Sequence, residues 1–176
     1  MNKKKCAVFI SGNGSNLESI IKESNKSDFP IKVESIITDN INSRGLNFGK
    51  TYNIKCYPVD YKSFSKKEDF ESKILEILLI DKIEIICLAG YMKILSSLFI
   101  KSFNGPIINI HPSLLPKYKG LDTHQRAIDN NDILAGCTVH YVNEELDSGE
   151  IILQKSLKIS HGDTASTLQS KVLKLE

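Results

Sequence analysis

Apolar and polar positions change their spacing several times along the chain, and each change marks an element. The run CAVFIS (6–11) is apolar almost throughout and stops at Gly12, as a short strand does. In NLESIIKES (16–24), Leu17, Ile20, Ile21 and Ser24 recur at helical spacing. IKVESIIT (31–38) reads as a second strand, SRGLNFGKTYNI (43–54) as a helix weakened by its glycines, and KCYPVD (55–60) as a short third strand. The clearest helix is Ser65 to Leu79. Phe70, Ile74, Ile77 and Leu78 share one face, and Ser65 with Glu68 three residues on forms a capping pair. IEIICLAG (83–90) and PIINIH (106–111) are buried strands, with a short helix at Ser96–Phe103 between them. THQRAIDNND (123–132) is a helix opened by Thr123, AGCTVHYV (135–142) and EIILQKSLKI (150–159) alternate as half-buried strands, and Asp163/Thr164 caps a last helix.

Strands alternating with helices over the first two thirds predict an α/β fold. Its sheet is mostly parallel, open and twisted, with helices on both faces. The short connection between the last two strands predicts one antiparallel strand near the C-terminus. The 176 residues contain no linker-like stretch and suit one domain, 1–176, with a sizeable core.

Composition removes several classes of function. A net charge of +2 does not announce a nucleic-acid partner, and Lys3-Lys4-Lys5 reads as a solvated N-terminus. No apolar run is long enough to cross a bilayer, and the N-terminus lacks the apolar core of a signal peptide. Cys6, Cys56, Cys87 and Cys137 are far apart and show no metal-ligand spacing. The apolar or small neighbours of Cys6, Cys87 and Cys137 predict buried, reduced thiols in a reducing, cytoplasmic compartment. Histidines and acids do not form a helix-borne metal pair, so no zinc or other metal is expected.

Two stretches carry chemistry. FISGNGSNL (9–17) ends a strand, passes two glycines and starts a helix near Ser15. Helix-start N–H groups favour an anion, so the stretch reads either as a phosphate cradle or as a plain strand-to-helix turn. It is neither a dinucleotide fingerprint, since Leu17 stands where a third glycine belongs, nor a P-loop, since no Gly-Lys-Ser/Thr follows. In NIHPSLLPKYKG (109–120), Asn109 and His111 lie at the carboxyl end of a buried strand, where open parallel sheets hold ligands. Residues i and i+2 point to one side. An uncharged amide donor beside an imidazole suits a developing oxyanion, and a satisfied buried pair is the plainer alternative. Asp147, in the turn LDSGE, would orient His111 and favour its protonated form, although Asp before Ser-Gly is also an ordinary turn residue. His124, His140 and His161 read as structural or surface residues, and Glu144 and Glu145 as solvated.

Taken together, SGNGSNL, LAGYMKILS, NIHPSLLPKYKG, THQRAI, GCTVHYV and LDSGEIILQ closely resemble the phosphoribosylglycinamide formyltransferases, folate-dependent enzymes of purine synthesis. The resemblance covers nearly the whole chain. It implies a formyltransferase fold with a Rossmann-like N-terminal half, and transfer of a formyl group from the co-substrate 10-formyltetrahydrofolate to the amine of glycinamide ribonucleotide. It implies catalytic roles for Asn109, His111 and Asp147. Gly14, Ser15, Asn16 and Glu176 would bind the ribonucleotide, and Lys67, Met92, Lys93, Ile94, Leu95 and Asn109 the folate. The partners implied are these small molecules, with no nucleic acid and no membrane, for a monomer or homodimer. The transfer is direct, with no metal and no covalent enzyme intermediate. Lys67 stands where many members carry Arg, which keeps a cation and loses a planar fork. The family's last helix continues past the acidic residue matching Glu176, so relative to the family the chain stops short there, either truncated or represented by its ordered part alone. Methionyl-tRNA formyltransferase and formyltetrahydrofolate deformylase share the Asn-His-Asp set but normally carry extra domains. A folate- or nucleotide-binding protein without activity is the reading from a different class.

Overall fold

The computed structural model describes residues 2–176. Among them, strands β1 (Lys4–Ile10), β2 (Ile31–Thr38), β3 (Lys55–Pro58), β4 (Ile85–Leu88), β5 (Ile107–His111), β6 (Leu134–Tyr141) and β7 (Ile151–Lys158) form one sheet. Its order is β3-β2-β1-β4-β5-β6-β7. The helices are α1 (Ser15–Ser24), α2 (Leu46–Tyr52), α3 (Lys67–Ile80), α4 (Ser97–Ser102), α5 (Thr123–Asp129) and α6 (Ala165–Val172). Contacts divide the chain into two compact units, Met1–Ile107 and Ile108–Glu176.

In the first unit β1 pairs in parallel with β2 and with β4, and β2 pairs in parallel with β3. The chain therefore moves outward from β1 to β3, then returns through α3 to the other side of β1. Right-handed crossovers put α1 and α2 on one face and α3 on the other. The reversal between β1 and β4 is a switch point of the kind where open α/β sheets bind ligands. Cys6 to Ile10 are all 0% exposed, which accounts for the unbroken apolar run of β1. On α3 the buried face is Phe70, Ile74, Ile77 and Leu78, as the spacing predicts, together with Glu71.

The start of α3 differs from the expected Ser65 cap. Lys66 is the N-cap residue, and no side chain caps the helix. Upstream, Asp60 caps a 3-10 turn at Tyr61–Ser63 by accepting the Lys62 N–H. The rings of Tyr61 and Phe64 then meet Phe70 edge-on at 5.0 and 5.7 Å. Aromatic packing, not the Ser65 hydroxyl, sets the entry of the helix. Cys6 and Cys137 are buried, whereas Cys87 is only half-buried; all four cysteines are free thiols. Cys6 and Cys87 lie on neighbouring strands, their sulfurs 3.6 Å apart.

In the second unit β6 is antiparallel to both β5 and β7, so it is the single reversed strand that the short connection predicts. α6 packs Leu168 and Val172 against Ala127, Ala135 and Cys137. The Thr164 hydroxyl accepts the Thr167 N–H, and the Thr167 hydroxyl accepts the Thr164 N–H, a capping box at the expected position. α5 begins at buried Thr123, with Asp122 as its N-cap in the left-handed region. β7 is more open than its alternation suggests, because it closes the strand order and pairs on one side only; Leu153 is 54% exposed. No helix among the described residues is long and apolar enough to cross a membrane.

Candidate active site

The antiparallel register of β5 and β6 sets Asn109 opposite His140 and His111 opposite Thr138. Asn109 Nδ2 is 3.1 Å from His140 Nε2, and His140 Nδ1 donates to the Tyr141 carbonyl at 2.8 Å. His111 Nε2 donates to the Tyr118 carbonyl at 2.8 Å, while its Nδ1 lies 3.4 Å from Asp147 Oδ2. Both ring nitrogens of His111 thus face acceptors, an arrangement the doubly protonated ring satisfies. Asp147 Oδ2 also accepts the Gly120 N–H at 2.8 Å, and Oδ1 is 3.7 Å from His140 Nε2. The side chains of His111, Asp147 and His140 are 7%, 8% and 2% exposed, so their mutual electrostatics are weakly screened. The three residues singled out in sequence converge, and His140, read there as structural or surface, joins them.

Hydrogen bonds from Ser113, Thr138 and Gln154 hold the loop of NIHPSLLPKYKG. Ser113 donates its hydroxyl to the Lys117 carbonyl at 2.6 Å. The buried Thr138 hydroxyl donates to the Ser113 carbonyl at 2.6 Å and accepts the Leu115 N–H at 3.1 Å. Gln154 Nε2 donates to Leu115 O and Thr138 Oγ1 at 2.8 and 2.9 Å. The Leu115–Pro116 peptide is cis. Beyond it, Arg126 donates to the Lys119 carbonyl and lies over the Tyr118 ring, whose hydroxyl donates to Asp132. These contacts hold the segment that carries the Tyr118 carbonyl facing His111. Asp147 sits at φ 46° on the β6–β7 hairpin. The neck of that hairpin requires glycine at 149, since a Cβ there would meet the Tyr141 carbonyl oxygen at 1.7 Å.

The phosphate-loop candidates belong to the first unit. Gly14, at φ 77°, is the N-cap of α1, which no side chain caps, so the N–H groups of its first turn are presented at the helix start. A Cβ on Gly14 would meet Gly45 Cα at 3.0 Å. Ser15 is exposed and Asn16 half-buried. Ser11 ties this loop to the one after β4: its N–H donates to the Gly90 carbonyl, its hydroxyl accepts the Met92 N–H at 2.9 Å and donates to Asp39 at 2.5 Å. Met92 and Ile94 are exposed and Leu95 is buried. Lys93 Nζ is 3.9 Å from Asp39 and 4.1 Å from the Tyr61 ring centroid. Lys67 is 3.8 Å from Glu71, which also accepts from the Ser96 N–H. Burial, with Asp39 and Glu71 nearby, pushes the Tyr91 hydroxyl pKa well up.

Two further candidates lie in the second unit. Glu176 ends beside the α6–β6 packing, where its charge adds to burial in raising the Cys137 thiol. Burial, and then the neighbouring His111, hold the His124 imidazole below its ordinary value. His161 is exposed. Among the described residues no group of three or more His, Cys, Asp or Glu could hold a metal ion.

The formyl transferase family profile matches residues 4–176, continuously across both units. The phosphoribosylglycinamide formyltransferase of Bacillus subtilis (strain 168) is 38% identical over 173 residues, covering 98% of this chain and 89% of that protein. The crystal structure of the Brucella melitensis phosphoribosylglycinamide formyltransferase superposes with a TM-score of 0.93 at 44% identity, over 98% of this chain and 89% of that one. The trifunctional purine biosynthetic protein adenosine-3 of Gallus gallus is 38% identical over 175 residues; the match takes in 99% of this chain but only 17% of that protein's length. The chain belongs to the formyl transferase family.

Proposed function

We propose that this protein transfers the formyl group of 10-formyltetrahydrofolate to the amine of 5′-phosphoribosylglycinamide. The products are formylglycinamide ribonucleotide and tetrahydrofolate, in de novo purine synthesis in the cytoplasm. The observation that carries the reading is the cluster of half-buried Asn109 with the His111 and Asp147 side chains, 7% and 8% exposed, in a member of this family. As the amine attacks, negative charge grows on the formyl oxygen. The Asn109 amide donates to that charge and the positive charge of His111 offsets it, while the Tyr118 carbonyl on Nε2 and Asp147, 3.4 Å from Nδ1, orient the ring. The amine loses a proton and the folate nitrogen gains one; His111 and Asp147 are the buried acid–base pair available for that exchange.

The first turn of α1, from Gly14 through Ser15 and Asn16, binds the substrate phosphate through backbone N–H groups. Glu176 contributes to ribonucleotide binding. Lys67 and the segment Met92, Lys93, Ile94 and Leu95 serve the folate, and Asn109 contacts both substrates. The continuous match over 4–176 supports reading the chain as one formyltransferase domain. The test is formyl transfer measured with both substrates, for the wild type and Asn109→Ala. Losing one oxyanion donor lowers kcat on the order of a hundredfold. Folate binding without formyl transfer to the ribonucleotide by the wild type would overturn the assignment.

A further inference from the structure

We propose that His140 is a positioning residue for formyl transfer: a ring with its proton on Nδ1, whose bare Nε2 decides which way round the Asn109 carboxamide is held. The catalytic part of this assignment rests on the formyl-transfer reading. The location of the ring proton does not.

The Tyr141 carbonyl can only accept, so the 2.8 Å contact to His140 Nδ1 requires a proton on that nitrogen. At 2% exposure, water does not compete for the ring. Nε2 then offers a lone pair toward the end of Asn109, 3.1 Å away. Only the amide N–H₂ satisfies it; turning the carboxamide over would set oxygen against nitrogen, lone pair to lone pair. A second proton on Nε2 would reverse the preference, since Asn109 would have to present its oxygen. Asp147 Oδ1 is 3.7 Å away, beyond hydrogen-bond length. The proton on the ring and the orientation of the amide are therefore one coupled choice, and the distances select a ring protonated on Nδ1 alone.

The consequence falls on the oxyanion. With Nδ2 held by His140, one amide N–H is engaged and the second leaves the same nitrogen as the donor for a substrate oxygen. In the opposite orientation Asn109 would exchange the positions of its donor and its oxygen, and the site would lose the donor geometry that His140 sets. His140 acts through Asn109 and need not touch the reacting atoms. Its partner is fixed by the β5–β6 register.

Two measurements on the full chain test this. Nitrogen-15 imidazole spectra at neutral pH, with the His140 signals identified by their loss in His140→Leu or His140→Gln, should show a protonated Nδ1 and an unprotonated Nε2. A proton on Nε2 overturns the proposal whatever the activity. Kinetically, His140→Leu should lower kcat on the order of tenfold or more, with KM for both substrates within about threefold of wild type. His140→Gln, which can restore an acceptor, should recover most of the loss. In the Asn109→Ala background, His140→Leu should change kcat by less than about twofold, because the residue it positions is gone. An equal loss in both backgrounds refutes the positioning role. If His140→Leu fails to fold, the wild-type spectrum tests the ring proton and His140→Ala, with and without Asn109→Ala, tests the positioning role. A chain inactive in formyl transfer that still shows the Nδ1 proton would refute the functional reading and its catalytic consequence, leaving the ring assignment intact.

Discussion

Thr138→Val removes one oxygen atom from the centre of the site's support and changes little else. Thr138 is 0% exposed, and valine fills nearly the same space, so no cavity opens. Three hydrogen bonds disappear: donation to the Ser113 carbonyl at 2.6 Å, and acceptance from the Leu115 N–H at 3.1 Å and Gln154 Nε2 at 2.9 Å. Gln154 keeps its bond to the Leu115 carbonyl, so its share of the loss is small. The Ser113 carbonyl and Leu115 N–H belong to buried residues and lose the partner that the hydroxyl supplied. At about 1–3 kcal/mol for each orphaned group, less what local relaxation recovers, the cost is about 2–4 kcal/mol. For a protein of this size that lowers Tm by about 5–12 °C. Thr138→Ser keeps the hydroxyl and should lose only about 1 kcal/mol through the missing methyl. Turnover should also fall in Thr138→Val, since the Ser113 end of the loop carries the Tyr118 carbonyl to His111. Calorimetry and formyl-transfer kinetics on both variants decide the matter. A valine variant melting within about 2 °C of wild type would show that the hydroxyl is not what holds the loop.

Asp147→Asn preserves an acceptor for the Gly120 N–H but removes the charge facing His111; kcat should fall on the order of a hundredfold with little change in melting temperature, and wild-type turnover would return Asp147 to the status of a turn residue. Gly14→Ala forces a side chain into a left-handed position with Gly45 Cα 3.0 Å away, so stability should drop by about 1–2 kcal/mol and KM for the phosphate-bearing substrate should rise; calorimetry and kinetics together check both. His124 has a folded-state pKa below its unfolded value of 6.5, so the unfolded chain binds more protons as pH falls. Its contribution is therefore complete above about pH 6.5 and is lost as pH falls through the lowered folded value. Urea midpoints at pH 7.5 and 5.5 should fall less in His124→Gln than in wild type, and equal falls would refute this.

Regular elements were readable wherever one local signal governed them. The continuous run of β1, the Phe70–Ile74–Ile77–Leu78 face of α3 and the Thr164 cap all lie where residue spacing places them. Ser65 misled because capping chemistry is local while the entry of α3 is set by Tyr61 and Phe64 packing on Phe70. In the site, the side chains of Asn109 and His111 announced themselves by type and i, i+2 spacing. His140 did not, since only antiparallel register brings it opposite Asn109 across 31 positions of sequence. The Tyr118 carbonyl and Gly120 N–H are backbone groups, which every residue but proline offers in full, so composition gives no sign of them.

The hairpin carrying Asp147 is closed at its neck. The Tyr141 N–H bonds the Glu150 carbonyl at 2.9 Å, and Gly149 lies too close to the Tyr141 carbonyl for any other residue to fit there unmoved. The number of residues between these points is therefore itself a functional parameter. A residue inserted at exposed Glu144 or Glu145 cannot lengthen the hairpin by sliding its strands, since a slip of one position would also turn β7 over relative to β6. It must be absorbed inside the closed loop, where it displaces the Asp147 carboxylate. Such an insertion, remote from the core and harmless by every measure of burial, would act as a mutation of the site.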